Sequence, residues 1–143
     1  MLHRTKKQND ENHDKWIAVG GKFEEGESPE ECMMREVWEE TGFTVTKWCY
    51  RGIVTFVSDL WPAEQMHIFV ATEWTGREKE CDEGDLAWVD KTRLTELPIW
   101  EGDKIFLGLL QQDMPFFSLK LIYKGEKLLK AVLNGEELTT RDT

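Results

Sequence analysis

The sequence predicts one α/β domain over residues 1–143, with a sheet core flanked by helices, and two observations support this prediction. Residues 44–58 and 65–74 are rich in β-branched and aromatic side chains, which is typical of paired strands. Residues 21–43 and 103–113 carry helical signals instead. Strands and helices that follow one another in a chain of this length pack as layers around one core.

The first predicted elements are short. Residues 1–4 begin abruptly with apolar side chains and have no strand partner before them. Residues 5–15 are polar and lack periodicity, which indicates a loop. Residues 16–20, WIAVG, form a short predicted strand that leads into the glycine pair Gly20 and Gly21. Glycines at this point allow the backbone to approach a ligand closely.

An acidic loop then leads into a helix with its own start and stop signals. Ser28 is suited to be the N-cap, Pro29 falls at the first helical position, and Glu31 completes a capping box. Gly42 is placed to end the helix in a left-handed conformation. The signals therefore predict a helix between Ser28 and Gly42.

Three glutamates share one face of this predicted helix. Glu36, Glu39 and Glu40 have i, i+3 and i+4 spacing. Like charges at this spacing repel, at a cost of roughly 0.2–0.5 kcal/mol per close pair. One interpretation is a solvated acidic face, and the other is a face that binds a cation. The nearby glycines, Glu27 and Arg35 favour the cation.

The remaining predicted elements are five strands, a helical turn and a helix. They cover, in order, 44–58 and 65–74 as an antiparallel hairpin, 86–90 as a short strand, 91–102 with a helical turn, 103–113 as a helix, and 116–124 with 127–133 as a closing hairpin.

Charge and cysteine content restrict the function. The formal net charge of −10 argues against binding to nucleic-acid polymers, which depends on Lys and Arg at phosphates. Three cysteines without a CxxC pair predict neither a disulfide framework nor a zinc site, so we expect a cytoplasmic protein. The chain contains no apolar run of membrane-spanning length, and no membrane partner is expected.

The acidic helix face has the donor chemistry of a magnesium site. Mg²⁺ prefers oxygen ligands and is commonly bound by a few carboxylates together with the substrate's phosphates, and Mn²⁺ accepts similar ligands. Glu36, Glu39 and Glu40 supply carboxylates, and a backbone carbonyl at the glycine pair is a further donor. Arg35 lies just off this face and is expected to pair with Glu27 or Glu31. This arrangement predicts metal-assisted hydrolysis of a phosphate anhydride.

The same stretch resembles the Nudix box, G-x5-E-x7-R-E-U-x-E-E-x-G-U, in which U is a bulky apolar residue. The matching residues are Gly21, Glu27, Arg35, Glu36, Val37, Glu39, Glu40, Gly42 and Phe43. The resemblance implies an α/β/α sandwich with a mixed sheet, and hydrolysis of a nucleoside diphosphate linked to another group. It implies that Glu36, Glu39, Glu40 and the Gly21 carbonyl hold divalent ions, while Glu27 and Arg35 shape the loop.

Beyond the box, the chain resembles the MutT-type and oxidised-purine nucleoside triphosphatase branch of the family. The resemblance implies that Trp100 stacks on a purine, that Asp103 reads its edge, and that Glu83 is an extra metal ligand or a base. Because Trp100 follows a proline in a predicted loop, we expect it to be exposed. The predicted substrate-binding residues are Lys22, Ile17, Phe56, Trp100 and Asp103.

Three departures from this branch concern the substrate and the fold. Ile17 stands where the mammalian enzymes have a base-reading Asn, and Gly102 with Asp103 stands where they have two consecutive acids. The usual N-terminal strand is expected to be missing, which suggests a truncated chain or a late start codon. If the chain is complete, a partner subunit is one way to cover the exposed sheet edge.

The leading functional hypothesis is Mg²⁺-dependent hydrolysis of nucleoside triphosphates, with oxidised or non-standard purine dNTPs such as 8-oxo-dGTP as substrates. One alternative is a Nudix pyrophosphatase for ADP-ribose, another nucleoside diphosphate derivative, a dinucleoside polyphosphate or capped RNA. A second is a non-catalytic nucleotide-binding domain. The general base is left open among Glu39, Glu40 and Glu83, and a homodimer is also left open.

Overall fold

The computed structural model describes residues 2–4, 16–17, 19–79, 84–86, 89, 98–112 and 114–138. The chain divides into two compact units. The first comprises Met1–Cys49 and Phe69–Pro98, and the second comprises Tyr50–Ile68 and Ile99–Thr143. None of the described helices has the length and apolar content needed to span a bilayer.

The chain forms eight strands and two helices within the described residues. In chain order they are β1 (Leu2–Arg4), β2 (Trp16–Ile17), α1 (Pro29–Thr41), β3 (Phe43–Ser58), β4 (Glu64–Gly76), β5 (Gly84–Leu86), α2 (Glu101–Gln111), β6 (Phe117–Lys124), β7 (Lys127–Leu133) and β8 (Glu136–Leu138).

The first strands form a small antiparallel sheet of order β2-β1-β5. Leu2 pairs with Ile17 on one side and with Leu86 on the other. Both partners of β1 lie later in the chain. The strand predicted at 86–90 is observed at Gly84–Leu86, and the helical turn predicted before residue 98 lies outside the described residues.

The larger sheet is mixed, as predicted, with the order β4-β3-β6-β7-β8. β6 runs parallel to β3, with Gly52 opposite Phe117, and β7 and β8 continue the sheet antiparallel. Residues 59–63 connect β3 to β4, which is too short for a parallel crossover and agrees with the predicted hairpin.

Strand β6 carries the apolar core of the second unit. Its buried and exposed side chains alternate, and Phe117, Leu119 and Leu121 are almost completely buried. A bulge interrupts the pairing of β6 with β7 between Ile122 and Tyr123. The closing hairpin around Gly125 is present as predicted, with Gly125 at a positive φ of 59°.

Helix α1 has the predicted caps. The Ser28 hydroxyl accepts a hydrogen bond from the Glu31 amide at 3.2 Å, and the Glu31 carboxylate accepts one from the Ser28 amide at 3.0 Å. Gly42 ends the helix at φ 82°, and its amide donates to the Trp38 carbonyl at 2.9 Å. These local bonds fix both ends of the helix that carries the glutamates.

Candidate active site

Arg35 is the centre of the candidate active site in the first unit. Its Nε donates to Glu27 Oε2 at 2.7 Å and its Nη2 donates to Glu27 Oε1 at 3.0 Å. This parallel pair of hydrogen bonds is the strong form of an arginine–carboxylate contact. The sequence left Glu27 and Glu31 open as partners, and the structure assigns Glu27 to Arg35 and Glu31 to the capping box.

The remaining edge of the same guanidinium contacts the helix carboxylates. Arg35 Nη1 lies 2.8 Å from Glu36 Oε1, 3.1 Å from Glu39 Oε2 and 3.6 Å from Glu24 Oε1. The predicted repulsion between Glu36 and Glu39 is therefore offset by a cation that belongs to the chain. The shared nitrogen also shows that both carboxylates reach a common point.

The acidic loop closes onto Arg35 through its backbone as well. Arg35 Nη2 donates to the Lys22 carbonyl at 2.9 Å, and the Glu24 amide donates to Glu27 Oε1 at 2.7 Å. The hydrogen bond from Arg35, followed by that from the Glu24 amide, holds the pKa of Glu27 below its ordinary value. The pKa of Arg35 is raised, chiefly by its hydrogen bond to Glu27. Both groups are thus charged at neutral pH.

Gly21 lies directly against the Glu36 carboxylate. A Cβ at residue 21 would be 2.4 Å from Glu36 Cδ and 2.5 Å from both carboxylate oxygens. Any side chain at this position would displace Glu36, and this steric conflict explains why the motif has a glycine here. The buried Cys32 thiol approaches the Gly21 carbonyl with an Sγ–O distance of 3.8 Å, and burial raises the pKa of that thiol.

Glu40 has different surroundings from the other two glutamates. It is only 6% exposed, and its Oε2 accepts a hydrogen bond from the Gly20 amide at 2.9 Å. Glu39, in contrast, has 47% of its side chain exposed. Glu40 therefore fixes the glycine pair against α1, while Glu39 is accessible to water and to a substrate.

The donor set fits a divalent cation such as Mg²⁺ or Mn²⁺. The three carboxylates and the Gly21 carbonyl are hard oxygen donors, and the close approach of Gly21 leaves room for Glu36 beside that carbonyl. Within the described part of the chain, no three acidic, histidine or cysteine side chains are gathered as a metal-holding group. Binding of the ion would therefore require the contacts of Arg35 or Glu40 to change.

The residues predicted to bind the base belong mainly to the second unit. Trp100 directly precedes α2 and is 5% exposed, so the expectation of an exposed indole is wrong. Its ring contacts Phe56 with centroids 6.0 Å apart and Tyr123 with centroids 5.2 Å apart. Asp103 lies in the first turn of α2 and is partly exposed.

Three further predicted residues have different outcomes. Lys22 is exposed in the acidic loop, where its carbonyl accepts from Arg35. Ile17 belongs to β2, and its side chain is outside the described part of the structure. Glu83 lies outside the described residues altogether.

Sequence reasoning missed the role of Tyr123. Its hydroxyl oxygen lies 2.6 Å from the Gly102 amide at the start of α2. The available signal was its place in the alternating, inward-facing series Phe117, Leu119 and Leu121 of β6. That pattern indicates burial, and a buried tyrosine hydroxyl usually has a polar partner.

Comparisons with known proteins agree with the fold and the motif. Residues 1–110 match the family model described as NUDIX domain. The chain is 36% identical over 116 residues to an uncharacterized Nudix hydrolase, YvcI, from Bacillus subtilis, covering 78% of this chain and 73% of the relative. It is 33% identical over 106 residues to the oxidized purine nucleoside triphosphate hydrolase of Danio rerio, covering 73% and 67%.

A solved structure is also similar. The MutT mutator protein of Bacillus halodurans superimposes with a TM-score of 0.78 and 34% identity, over 85% of this chain and 84% of that protein. The fold, the complete motif and the relatives together show that this chain belongs to the Nudix hydrolase family, as a pyrophosphohydrolase.

Proposed function

We propose that the protein is a Mg²⁺-dependent nucleoside triphosphate pyrophosphohydrolase that prefers oxidised or non-standard purine dNTPs such as 8-oxo-dGTP. The observation that carries the reaction is the convergence of Glu36 and Glu39 on Arg35 Nη1, while Glu27 holds the other edge of the guanidinium. The substrate class is supported by the relative from Danio rerio, whose name specifies oxidized purine nucleoside triphosphates.

In the proposed reaction, one water molecule is added across the anhydride that joins the α and β phosphorus atoms. A new P–O bond forms to the water oxygen, the bridging P–O bond breaks, and the products are a nucleoside monophosphate and pyrophosphate. A divalent cation held by Glu36, Glu39, Glu40, the Gly21 carbonyl and Glu83 would neutralise phosphate charge and polarise the phosphorus.

The chain's own groups divide the remaining tasks. Arg35 and Glu27 hold the loop that carries Gly21 and Lys22 against α1. A general base is needed to take a proton from water, and the structure describes two candidates, Glu39 and Glu40. Glu39 is the more accessible of the two, because its carboxylate is exposed whereas Glu40 is buried and hydrogen-bonded to the Gly20 amide. Glu83 stays a third candidate for this role.

In this proposal the base is recognised by Trp100, Phe56, Asp103 and Ile17. The indole of Trp100 and the ring of Phe56 offer apolar surface for a purine, and the Asp103 carboxylate offers a hydrogen-bond acceptor for its edge. Lys22 is proposed to contact the phosphates through its charge, and Ile17 to contact the base. The low exposure of Trp100 means that only a limited part of its surface is offered to a ligand.

The metal-site assignment is tested by Glu39→Gln. An amide is a poor Mg²⁺ ligand, so turnover should fall by at least about 100-fold while the far-UV circular dichroism is unchanged. Glu30→Gln makes the same chemical change in the first turn of α1, at a variable position of the motif, and should leave turnover within about twofold. Near-normal turnover in Glu39→Gln would refute the assignment.

The substrate is tested by a panel of nucleotides with Mg²⁺. The panel contains dGTP, 8-oxo-dGTP, ADP-ribose and a dinucleoside polyphosphate, and the released pyrophosphate or phosphate is identified. The proposal expects the highest kcat/KM for 8-oxo-dGTP, with pyrophosphate as the product. A higher kcat/KM for ADP-ribose or the dinucleoside polyphosphate would instead favour the pyrophosphatase alternatives.

Several less specific features complete the proposal. Residues 1–143 are proposed to form a single Nudix domain, of which the family model covers residues 1–110. The protein is proposed to act on small nucleotides in the cytoplasm, without binding nucleic-acid polymers or membranes. A homodimer stays a prediction, and light scattering coupled to size-exclusion chromatography would test it.

A further inference from the structure

The N-terminus of α2 lacks a cap from its own N-cap residue. Helix N-caps are usually Ser, Thr, Asp or Asn, whose side-chain oxygen accepts a hydrogen bond from the N2 or N3 amide. Here the N-cap is Trp100, whose side chain makes no capping hydrogen bond. An indole has an N–H donor and no acceptor, so no rotamer of Trp100 could cap this helix.

Tyr123 supplies the missing acceptor from strand β6. The Gly102 amide, at the N2 position of α2, donates to the Tyr123 hydroxyl oxygen at 2.6 Å. Tyr123 is 2% exposed, so water could not easily replace this contact. The hydroxyl therefore does for α2 what the Ser28 hydroxyl does for α1, although it comes from a distant part of the sequence.

The structure around Tyr123 directs its hydroxyl to this point. Buried and exposed side chains alternate along β6 without interruption, so Tyr123 faces inward like Leu119 and Leu121, and the extra residue of the bulge, Leu129, lies on the neighbouring strand β7. The tyrosine ring is then held by Phe56 at a centroid distance of 5.1 Å and by Trp100 at 5.2 Å. Burial raises the pKa of Tyr123, so the hydroxyl remains protonated at all physiological pH values.

The close approach also explains the glycine at residue 102. A Cβ on Gly102 would lie 2.6 Å from the Tyr123 hydroxyl oxygen and 2.5 Å from Leu121 Cδ1. Position 102 therefore cannot carry a side chain unless Tyr123 or Leu121 moves. This is the position at which the related enzymes have the first of two consecutive acids, and here only the second of that pair, Asp103, is acidic.

We infer that Tyr123 is a positioning residue for substrate recognition, because its hydroxyl fixes the start of α2 and so the placement of Trp100 and Asp103. The inference rests on the proposed function, which assigns these two residues to the purine base. Tyr123 would not touch the reacting phosphates. Its contribution should therefore appear in base binding and not in the chemical step.

The test removes the hydroxyl alone with Tyr123→Phe. KM for the preferred purine nucleotide should rise about fivefold, the factor equivalent to one neutral hydrogen bond, while kcat stays within about twofold. Binding of dGMP and 8-oxo-dGMP in EDTA, measured by calorimetry, should weaken by a similar factor. Gly102→Ala disturbs the same contact with the tyrosine intact and should show the same separation of KM from kcat.

Tyr50→Phe is the matched control. It removes a tyrosine hydroxyl that is hydrogen-bonded to His67 in the same unit. The ring of Tyr50, which the variant keeps, packs edge-on against Phe116. This variant should leave KM and monophosphate binding unchanged. A general loss of packing would affect both tyrosine variants, whereas the inferred role affects only Tyr123.

The outcomes separate this inference from the proposed function. If the wild-type protein hydrolyses and binds purine nucleotides but Tyr123→Phe only lowers the melting temperature, Tyr123 is merely structural and the inference is overturned. If the wild-type protein does not bind purine monophosphates, both the inference and the assignment of Trp100 and Asp103 are overturned. If it binds them but hydrolyses none of the panel, the proposed reaction fails and the binding measurements still decide the role of Tyr123.

Discussion

Alanine substitution at two glycines of α2 should have opposite effects on stability. A Cβ added at Gly102 would lie 2.5 Å from Leu121 Cδ1 and 2.6 Å from the Tyr123 hydroxyl oxygen. A Cβ added at Gly108, in the same helix, would meet nothing within 4 Å. The two substitutions therefore make the same chemical change in one helix, with and without steric conflict.

The expected magnitudes follow from these surroundings. Overpacking of a core typically costs about 1–3 kcal/mol. Replacing glycine by alanine in a helix recovers up to about 1 kcal/mol of helix propensity. Gly102→Ala should therefore lower the free energy of unfolding by up to about 2 kcal/mol, because the propensity gain offsets only part of the steric cost. Gly108→Ala should raise it by about 0.8–1 kcal/mol.

Urea denaturation followed by circular dichroism would measure both free energies, and thermal melting would check their sign. For a chain of this size we expect a melting temperature lower by up to about 6 °C for Gly102→Ala and higher by about 3 °C for Gly108→Ala. If Gly102→Ala is as stable as Gly108→Ala, the close contact between α2 and Tyr123 does not exist. The account of position 102 would then be refuted.

Two further predictions concern the first unit. Gly42→Ala should lower the free energy of unfolding by about 1–2 kcal/mol, because alanine is strained in the left-handed backbone conformation of this residue. The loss should be larger still, because the added Cβ would lie 2.4 Å from the Arg77 carbonyl oxygen. Gly26→Ala is the control, because Gly26 has the same φ of 82° and its added Cβ would meet nothing within 4 Å, so this variant measures the backbone strain alone. Equal urea midpoints for the two variants would exclude the clash at Gly42. Because the folded pKa of Glu27 is below its ordinary value of 4.5, its pairing with Arg35 stabilises the protein above that pH and is lost as pH falls through the folded pKa. The difference in unfolding free energy between the wild type and Glu27→Gln should therefore shrink in acid, and a difference that is constant from pH 7 to pH 3 would contradict the ion pair.

The elements that the sequence predicted well are those whose determinants are local. Ser28, Glu31 and Gly42 fix the ends of α1 through bonds within a few residues of one another, so their spacing alone was sufficient. The alternation along β6 likewise identified a half-buried strand without knowledge of its neighbours. β8 was missed although Asn134 and Gly135, both at positive φ, form the kind of turn that predicts a hairpin.

The predictions that failed depended on partners far along the chain. Trp100 was expected to be exposed because its neighbours in sequence are polar or helix-breaking, but Phe56 and Tyr123 cover it. The pairing of Leu2–Arg4 with β2 and β5 was not predicted, since both partners are distant in sequence. Burial and register are set by tertiary packing, which a local pattern does not contain.

The position of Arg35 has a consequence for the stability of the acidic segment when no metal ion is bound. Because one guanidinium contacts Glu27, Glu36 and Glu39, the acidic helix face carries its own counter-ion. Folding of this segment therefore does not have to wait for a cation from solution, and chelation should leave it folded. A divalent ion that bound to Glu36 and Glu39 would replace an existing positive charge, so its affinity would reflect an exchange of cations and not the neutralisation of bare carboxylates.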